Sequence, residues 1–141
     1  IDFFRVKGQS APSLGEIREA ITTIRWSKLP DPATLPNAGS FFKNPVVDAE
    51  TGRRIKMEYP DARVFPLDES RVKIAAGWLI EKAGYKGLSF GKISVYDKNA
   101  LILVNNGGAN HADLTAARGS ISESVMEKFG IILEQEPDEV I

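Results

Sequence analysis

Apolar residues along this chain change period several times, and each change marks an element. In "SLGEIREAITTIRWSK" Leu14, Ile17, Ile21 and Ile24 recur every three or four residues, which is one stripe of a helix. Ser13 stands before that run and Glu16 follows it by three, a capping-box pattern in which each side chain bonds the other's backbone N–H. Pro30 disfavours α conformation at Leu29, so the helix should close near Lys28. The next stretch, "LPDPATLPNAG", holds Pro30, Pro32 and Pro36 and reads as a stiff loop. "SFFKNPVV" reads as a short strand that Pro45 interrupts or confines to an edge. "DAETGRRIKMEYPDA" is polar and reads as a loop with at most one helical turn. A second helix is expected near "VKIAAGWLIEKAG", with Ile74, Trp78 and Leu79 inward and Gly84 as its left-handed stop.

Two strand-like runs follow, "LSFGKISV" and "ALILVNN", separated by the turn residues Tyr96-Asp97-Lys98-Asn99. "HADLTAARGSISESVMEKFG" predicts a long helix on which Leu114, Ala117, Ile121, Val125 and Phe129 share a face, closed by Gly130. "IILEQE" reads as a last strand. Helices and strands mix without strict βαβ alternation, so the fold class is α+β: one domain with a small, mostly antiparallel sheet packed against helices. Residues 1–12 read as a linker or a truncated edge segment, and 13–141 as the domain itself.

Length and composition narrow the function classes. The 141 residues, 43% hydrophobic and 26% charged, suit one soluble domain with its own core. No apolar run approaches the roughly 20 residues of a membrane helix, and "IDFFRVKGQ" lacks the layout of a signal peptide. With no cysteine, disulfides, thiolate catalysis and Cys-based zinc sites are excluded, which fits a reducing compartment. Eighteen basic residues against nineteen acidic argue against a nucleic-acid partner, although local cations could hold a small anion such as a diphosphate. No P-loop is present and no GxGxxG follows a strand. The loop "NNGGAN", at 105–110, could bind an anion at a helix N-terminus but reads more simply as a connector.

Candidate chemistry concentrates in "PNAGSFFKNP". Ser40, after a glycine and before aromatic residues, is on its own most simply a turn serine bonding nearby backbone. As a nucleophile it would need a base, yet the sole histidine, His111, sits at a helix start with the look of a surface residue, and no GxSxG elbow exists. A serine can also donate a proton to a carbanion beside it, if cations or amides stabilise the alkoxide left behind. Lys43 and Asn44 lie in the same segment, and Lys28 ends the helix before it. Each lysine alone is an ordinary solvated group. Glu134 and Glu136 alternate with Leu133 and Gln135, so the two carboxylates share a strand face, either an exposed one or one turned to a cleft. No Asp/His cluster with ligand spacing accompanies them, so a metal is not expected.

The run from Lys28 to Pro45, "KLPDPATLPNAGSFFKNP", strongly resembles the signature of the UDP-N-acetylenolpyruvoylglucosamine reductase (MurB) family of peptidoglycan synthesis. The resemblance continues through "VKIAAGWLIEKAGYKG" and "ALILVNNGGANHADL" to "FGIILEQE", covering about residues 25–136 in order. It is a resemblance to the C-terminal, substrate-binding domain. It implies a cytoplasmic oxidoreductase of cell-wall biogenesis, serving cell shape and division, that uses FAD and NADPH to convert UDP-N-acetylglucosamine enolpyruvate into UDP-N-acetylmuramate. By the same resemblance Ser40 is the proton donor and Glu136 the essential carboxylate. Lys28 and Asn44 contact substrate, and Asn99 matches a polar substrate-contacting position. The family's FAD-binding domains, here missing partners, are not represented, so this chain alone is expected to bind no FAD and to turn over nothing. The reading requires Ser40, Lys28 and Glu136 to open onto a common cavity. The alternative is a free-standing, non-catalytic nucleotide-sugar or protein-binding module of the same fold.

Overall fold

Local signals decide where most elements begin and end. In the computed structural model, which describes residues 12–139, helix α1 spans Leu14–Lys28. Its capping box is formed as expected: Ser13 Oγ accepts from the Glu16 N–H and the Glu16 carboxylate accepts from the Ser13 N–H at 2.8 Å. Leu29 is extended, as the proline after it requires. The proline-rich loop turns on Asp31, whose carbonyl accepts from Thr34 and Leu35 and whose carboxylate accepts from Ala33. The expectations for residues 1–11 lie outside the described residues.

The opening strand is broken rather than continuous. Strand β1 (Asn37–Ser40) and strand β2 (Val46–Asp48) belong to different sheets. Phe41–Pro45 passes between them, making one isolated bridge from Phe42 to Gln135. The polar stretch after β2 is not a loop. It forms helix α2 (Ala49–Glu58), started by Asp48, whose carboxylate accepts from the Thr51 N–H at 2.7 Å. Only Gly52 and Ile55 of this helix are buried, too few apolar positions to show a period. Gly52 is where it meets the sheet: a Cβ there would lie 2.4 Å from Val72 Cγ2.

The expected second helix is shorter and begins later. Arg71–Ile74 is strand β4, the centre of an antiparallel sheet β2-β4-β3 whose other edge, β3, is Val64–Pro66. Helix α3 (Ala76–Lys82) then follows, with Gly84 in the left-handed region at its end. "LSFGKISV" folds back on itself as a hairpin, β5 (Ser89–Phe90) and β6 (Ile93–Val95), and pairs with β7 (Ile102–Asn105). The second sheet is thus β1-β7-β6-β5, antiparallel throughout.

Helix α4 (His111–Phe129) closes the fold. Ala117, Ile121, Val125 and Phe129 are buried against α3 and β6, and Gly130 caps the helix at φ 69°. Tyr59, Trp78 and Phe129 meet edge-on or tilted at 5.5–5.7 Å, joining α2, α3 and α4 in one core with Ile55, Ile74, Leu79 and Phe42. The fold is α+β, as the mixed pattern predicted, with two small antiparallel sheets in place of one. "IILEQE" is not a ladder strand: beyond Leu133 it keeps only the bridge at Gln135. No helix among the described residues is long and apolar enough to cross a membrane.

Candidate functional site

The segment around Ser40 is shaped by its glycine. Asn37 makes the turn: its carboxamide oxygen accepts from the Gly39 N–H at 2.9 Å and its amide donates to the Leu35 carbonyl at 2.7 Å. Gly39 sits at φ 77°, a conformation L side chains rarely adopt. The pairing of β1 with β7 shifts register between Asn37 and Ser40, a bulge that re-aims the side chain after it. Ser40 is exposed, and its hydroxyl forms no hydrogen bond among the described residues. The turn role that a serine in this setting would usually play has been taken by Asn37.

Phe41 is held on both edges, its N–H donating to Leu101 at 2.7 Å and its carbonyl accepting from the Glu136 N–H at 2.9 Å. Glu136 therefore sits across from Phe41, next in the ladder to Ser40. The two glutamates of "LEQE" differ in their partners. Glu134 is ion-paired with Lys43, which holds the lysine ammonium above its ordinary range, whereas the exposed Glu136 carboxylate makes no hydrogen bond or ion pair among the described residues and acts on Lys43 only at longer range.

Lys28, Asn44 and Asn99 come together elsewhere, around a hollow of ≈ 780 Å³. Each asparagine has one committed end. Asn44 Oδ1 accepts from the Ala76 N–H at 2.8 Å, capping α3, whose own N-cap residue, Ala75, has no side chain for the purpose. Asn99 Oδ1 accepts from the Leu101 N–H at 3.1 Å. Each oxygen accepts one backbone bond, and the NH₂ donors of both side chains make no hydrogen bond among the described residues.

Sequence reasoning missed the other charged groups of this wall. Asp61 accepts from Trp78 Nε1 at 3.1 Å and pairs with Lys82 at 3.1 Å. The indole, and after it the ammonium, hold its carboxyl below the usual range. Lys86 pairs with Glu81 at 3.0 Å. Lys28, Arg63 and Lys98 line the same hollow without a carboxylate partner among the described residues. Three cations without a carboxylate partner among the described residues, and two amides with NH₂ groups to offer, favour an anionic ligand rich in acceptors. Lys98 was visible only as a turn residue, and Arg63 fell between the stretches read as elements, so no local signal marked either.

The five residues singled out in the sequence thus form two groups. Lys28, Asn44 and Asn99 line the hollow, whereas Ser40 and Glu136 do not line it within this chain. They stand on the adjoining ladder, linked to the hollow's wall by the Phe41–Leu101 hydrogen bond and by Asn44 four residues on. The loop 105–110 spends most of its backbone donors internally: Asn105 Oδ1 accepts from Gly107 and Ala109, and Asn110 and Asp113 cap α4 reciprocally, which leaves the Gly108 N–H unbonded among the described residues.

Residues 31–140 match the model of the UDP-N-acetylenolpyruvoylglucosamine reductase C-terminal domain. The chain belongs to this family. It is 47% identical over 131 residues to the UDP-N-acetylenolpyruvoylglucosamine reductase of Azoarcus sp. (strain BH72) and 46% identical over 132 residues to that of Pseudomonas aeruginosa. The enzyme of that name from Dechloromonas aromatica is 47% identical over 128 residues. These matches cover 93%, 94% and 91% of the chain but only 38–39% of each relative. The chain therefore spans under two-fifths of the length of the curated reductases it matches. The Azoarcus match leaves at most ten residues of the chain outside it, so it includes α1, which precedes the C-terminal-domain match.

Proposed function

We propose that the chain is the substrate-binding domain of an FAD- and NADPH-dependent reductase that converts UDP-N-acetylglucosamine enolpyruvate into UDP-N-acetylmuramate in the cytoplasm. The observation that carries this reading is a hollow in which five cations outnumber two carboxylates, beside a segment bearing a serine hydroxyl and a glutamate carboxylate that make no hydrogen bond among the described residues. Lys28, Asn44 and Asn99, together with Arg63 and Lys98, suit the diphosphate of a sugar nucleotide.

The described residues do not fit a flavin. Its diphosphate would need a cradle of several free backbone donors, and the loop before α4 keeps only the Gly108 N–H free among the described residues, those of Gly107, Ala109 and Asn110 being bonded to Asn105 and Asp113. FAD is therefore assigned to the part of the reductase outside this chain, where a reduced flavin would supply hydride. The family's greater length leaves room for such a part, and the uncovered apolar face of α1 suits packing against it.

This chain's own contribution is a proton and a cradle. As hydride reaches the methylene carbon of the enol ether, the double bond becomes single and the neighbouring carbon takes the electron pair. Ser40 Oγ–H delivers its proton to that carbon, and the alkoxide regains one from water. A hydroxyl is a weak acid, so the step depends on placement at hydrogen-bond distance, which a rigid bulged turn supplies. Glu136 faces the substrate carboxylate and favours its enolic form.

The test separates two half-reactions in the full-length reductase. In Ser40→Ala, flavin reduction by NADPH should keep its rate while reoxidation by the enolpyruvyl sugar nucleotide slows roughly 10²–10⁴-fold, the range for loss of a general acid. Unchanged reoxidation would remove Ser40 from the chemistry.

A further inference from the structure

Beyond Leu133 the chain end that carries Glu136 has little backbone to hold it. Two hydrogen bonds attach it, Lys43 N–H to the Glu134 carbonyl at 2.8 Å and Glu136 N–H to the Phe41 carbonyl at 2.9 Å. They flank a single bridge, and none of residues 134–139 is buried. The Lys43–Glu134 ion pair ties down the start of this strap, and a set of side chains on α4 fixes the rest. Arg118 Nη1 donates to Gln135 Oε1 at 2.5 Å and to Glu139 Oε1 at 2.7 Å. The other Glu139 oxygen meets His111 Nε2 at 3.0 Å. Gln135, pinned through its oxygen, uses its amide to donate to the Pro137 carbonyl at 2.6 Å.

Arg118 therefore grips the strap on both sides of Glu136, at one residue before it and three after. Its own position is firm, because Ala117 beside it is fully buried in the core face of α4. His111 lies seven residues earlier, two turns away on the same side of the helix, and holds the far end. Neither Arg118 nor His111 lines the hollow.

We infer that Arg118 is a positioning residue: it braces the 135–139 strap against α4 so that Glu136 stays across from Phe41, the residue that follows Ser40. The catalytic consequence rests on the role proposed for Glu136; the brace itself does not. A carboxylate on a strap held by one bridge would otherwise sample many positions, and displacement by about 1 Å costs on the order of 10²-fold in rate.

The experiment has two arms. In the full-length reductase, Arg118→Ala should lower kcat for substrate reduction about 10- to 100-fold, the range for loss of an orienting partner, with KM for the sugar nucleotide and flavin reduction by NADPH little changed. Arg118→Lys should recover part of the loss, because one ammonium can still reach the strap, and Glu139→Gln, a milder change, should lose less. In the 141-residue chain, Arg118→Ala or Glu139→Gln should speed amide hydrogen exchange at Glu136 and Lys43, leaving Ile121 and Val125 in α4 protected. Wild-type kcat together with unchanged exchange would overturn the brace. Should Glu136→Gln keep full activity, the role of Glu136 fails, and the exchange arm still decides the brace: faster exchange upholds it, unchanged exchange overturns it.

Discussion

Helices α1 and α4 carry nearly the same instructions and end in opposite circumstances. Both open with a completed capping box, Ser13 with Glu16 and Asn110 with Asp113, and both repeat apolar residues every three or four positions. Yet α4 buries Ala117, Ile121, Val125 and Phe129, while α1 buries only Ala20. Leu14 is 86% exposed, Ile21 53% and Ile24 41%, and Trp26 joins them on the surface. Caps and periodicity are local and suffice to shape a helix. Burial needs a partner surface, which α4 finds on α3 and β6. That α1 lies outside the matched C-terminal domain but inside the match to the longer reductases favours a cover for it in the rest of the enzyme.

The contrast is broken or upheld by paired truncations. Phe129→Ala in α4 should destabilise the 141-residue chain by about 3–5 kcal/mol, the cost of deleting a fully buried ring. Ile21→Ala in α1 should change it by no more than about 0.5 kcal/mol. In the full-length reductase the second substitution should rise to about 2 kcal/mol or more, as for a buried isoleucine. Urea unfolding of both proteins reads all of these values. An Ile21→Ala cost as large in the short chain as in the long one would mean that α1 is already packed here.

What could be read from the sequence follows the same division. Elements with a cap, a period and a stop were legible: α1 from Ser13 to Pro30, and α4 from its stripe to Gly130. Helix α2 was not, because its single buried large side chain, Ile55, leaves no period and its start signal is one aspartate. Strand β4 was absorbed into the helix after it, since Ile74 lies four residues before Trp78, which also fits a helical spacing. The site divides likewise. Ser40, Lys28, Asn44, Asn99 and Glu136 came from resemblance in chain order. The second task of Asn44, capping a helix that starts 32 residues later, exists only in three dimensions, as does the convergence of Arg63 and Lys98 on one hollow. Arg118 gave no signal at all; its partners are 17 and 21 residues away.

Caps sharpen the comparison at lower cost. Ser13→Ala and Asn110→Ala each delete one side-chain acceptor for a backbone N–H, worth about 0.5–2 kcal/mol to the helix it starts. The loss should surface differently. With α4 locked to the core, Asn110→Ala should lower global stability, seen as a shifted urea midpoint. With α1 bound to little else in the short chain, Ser13→Ala should fray its first turn and raise amide exchange at Ile17, while the midpoint stays within error. Equal midpoint shifts would contradict the independence of α1.

The smallest effect concerns charge on the outer face of α4. His111, then Gln135 and Arg118, hold the Glu139 carboxyl below the ordinary carboxylate range. A pKa lowered by folding adds stability above the unfolded value, about 4.3 for glutamate, and loses it as pH falls through the folded value. Acidification below about pH 4 should therefore loosen the 135–139 strap, because a protonated Glu139 accepts more weakly from Arg118. Chemical shifts of the Gln135 and Glu136 amides should move less in that window in Glu139→Gln than in the wild-type chain. The Ile17 and Ile21 amides of α1, beside their own carboxylates Glu16 and Glu19, should titrate alike in the two proteins. A difference there would mean that the two helices are coupled through the body of the domain, and the separation drawn between them would fail.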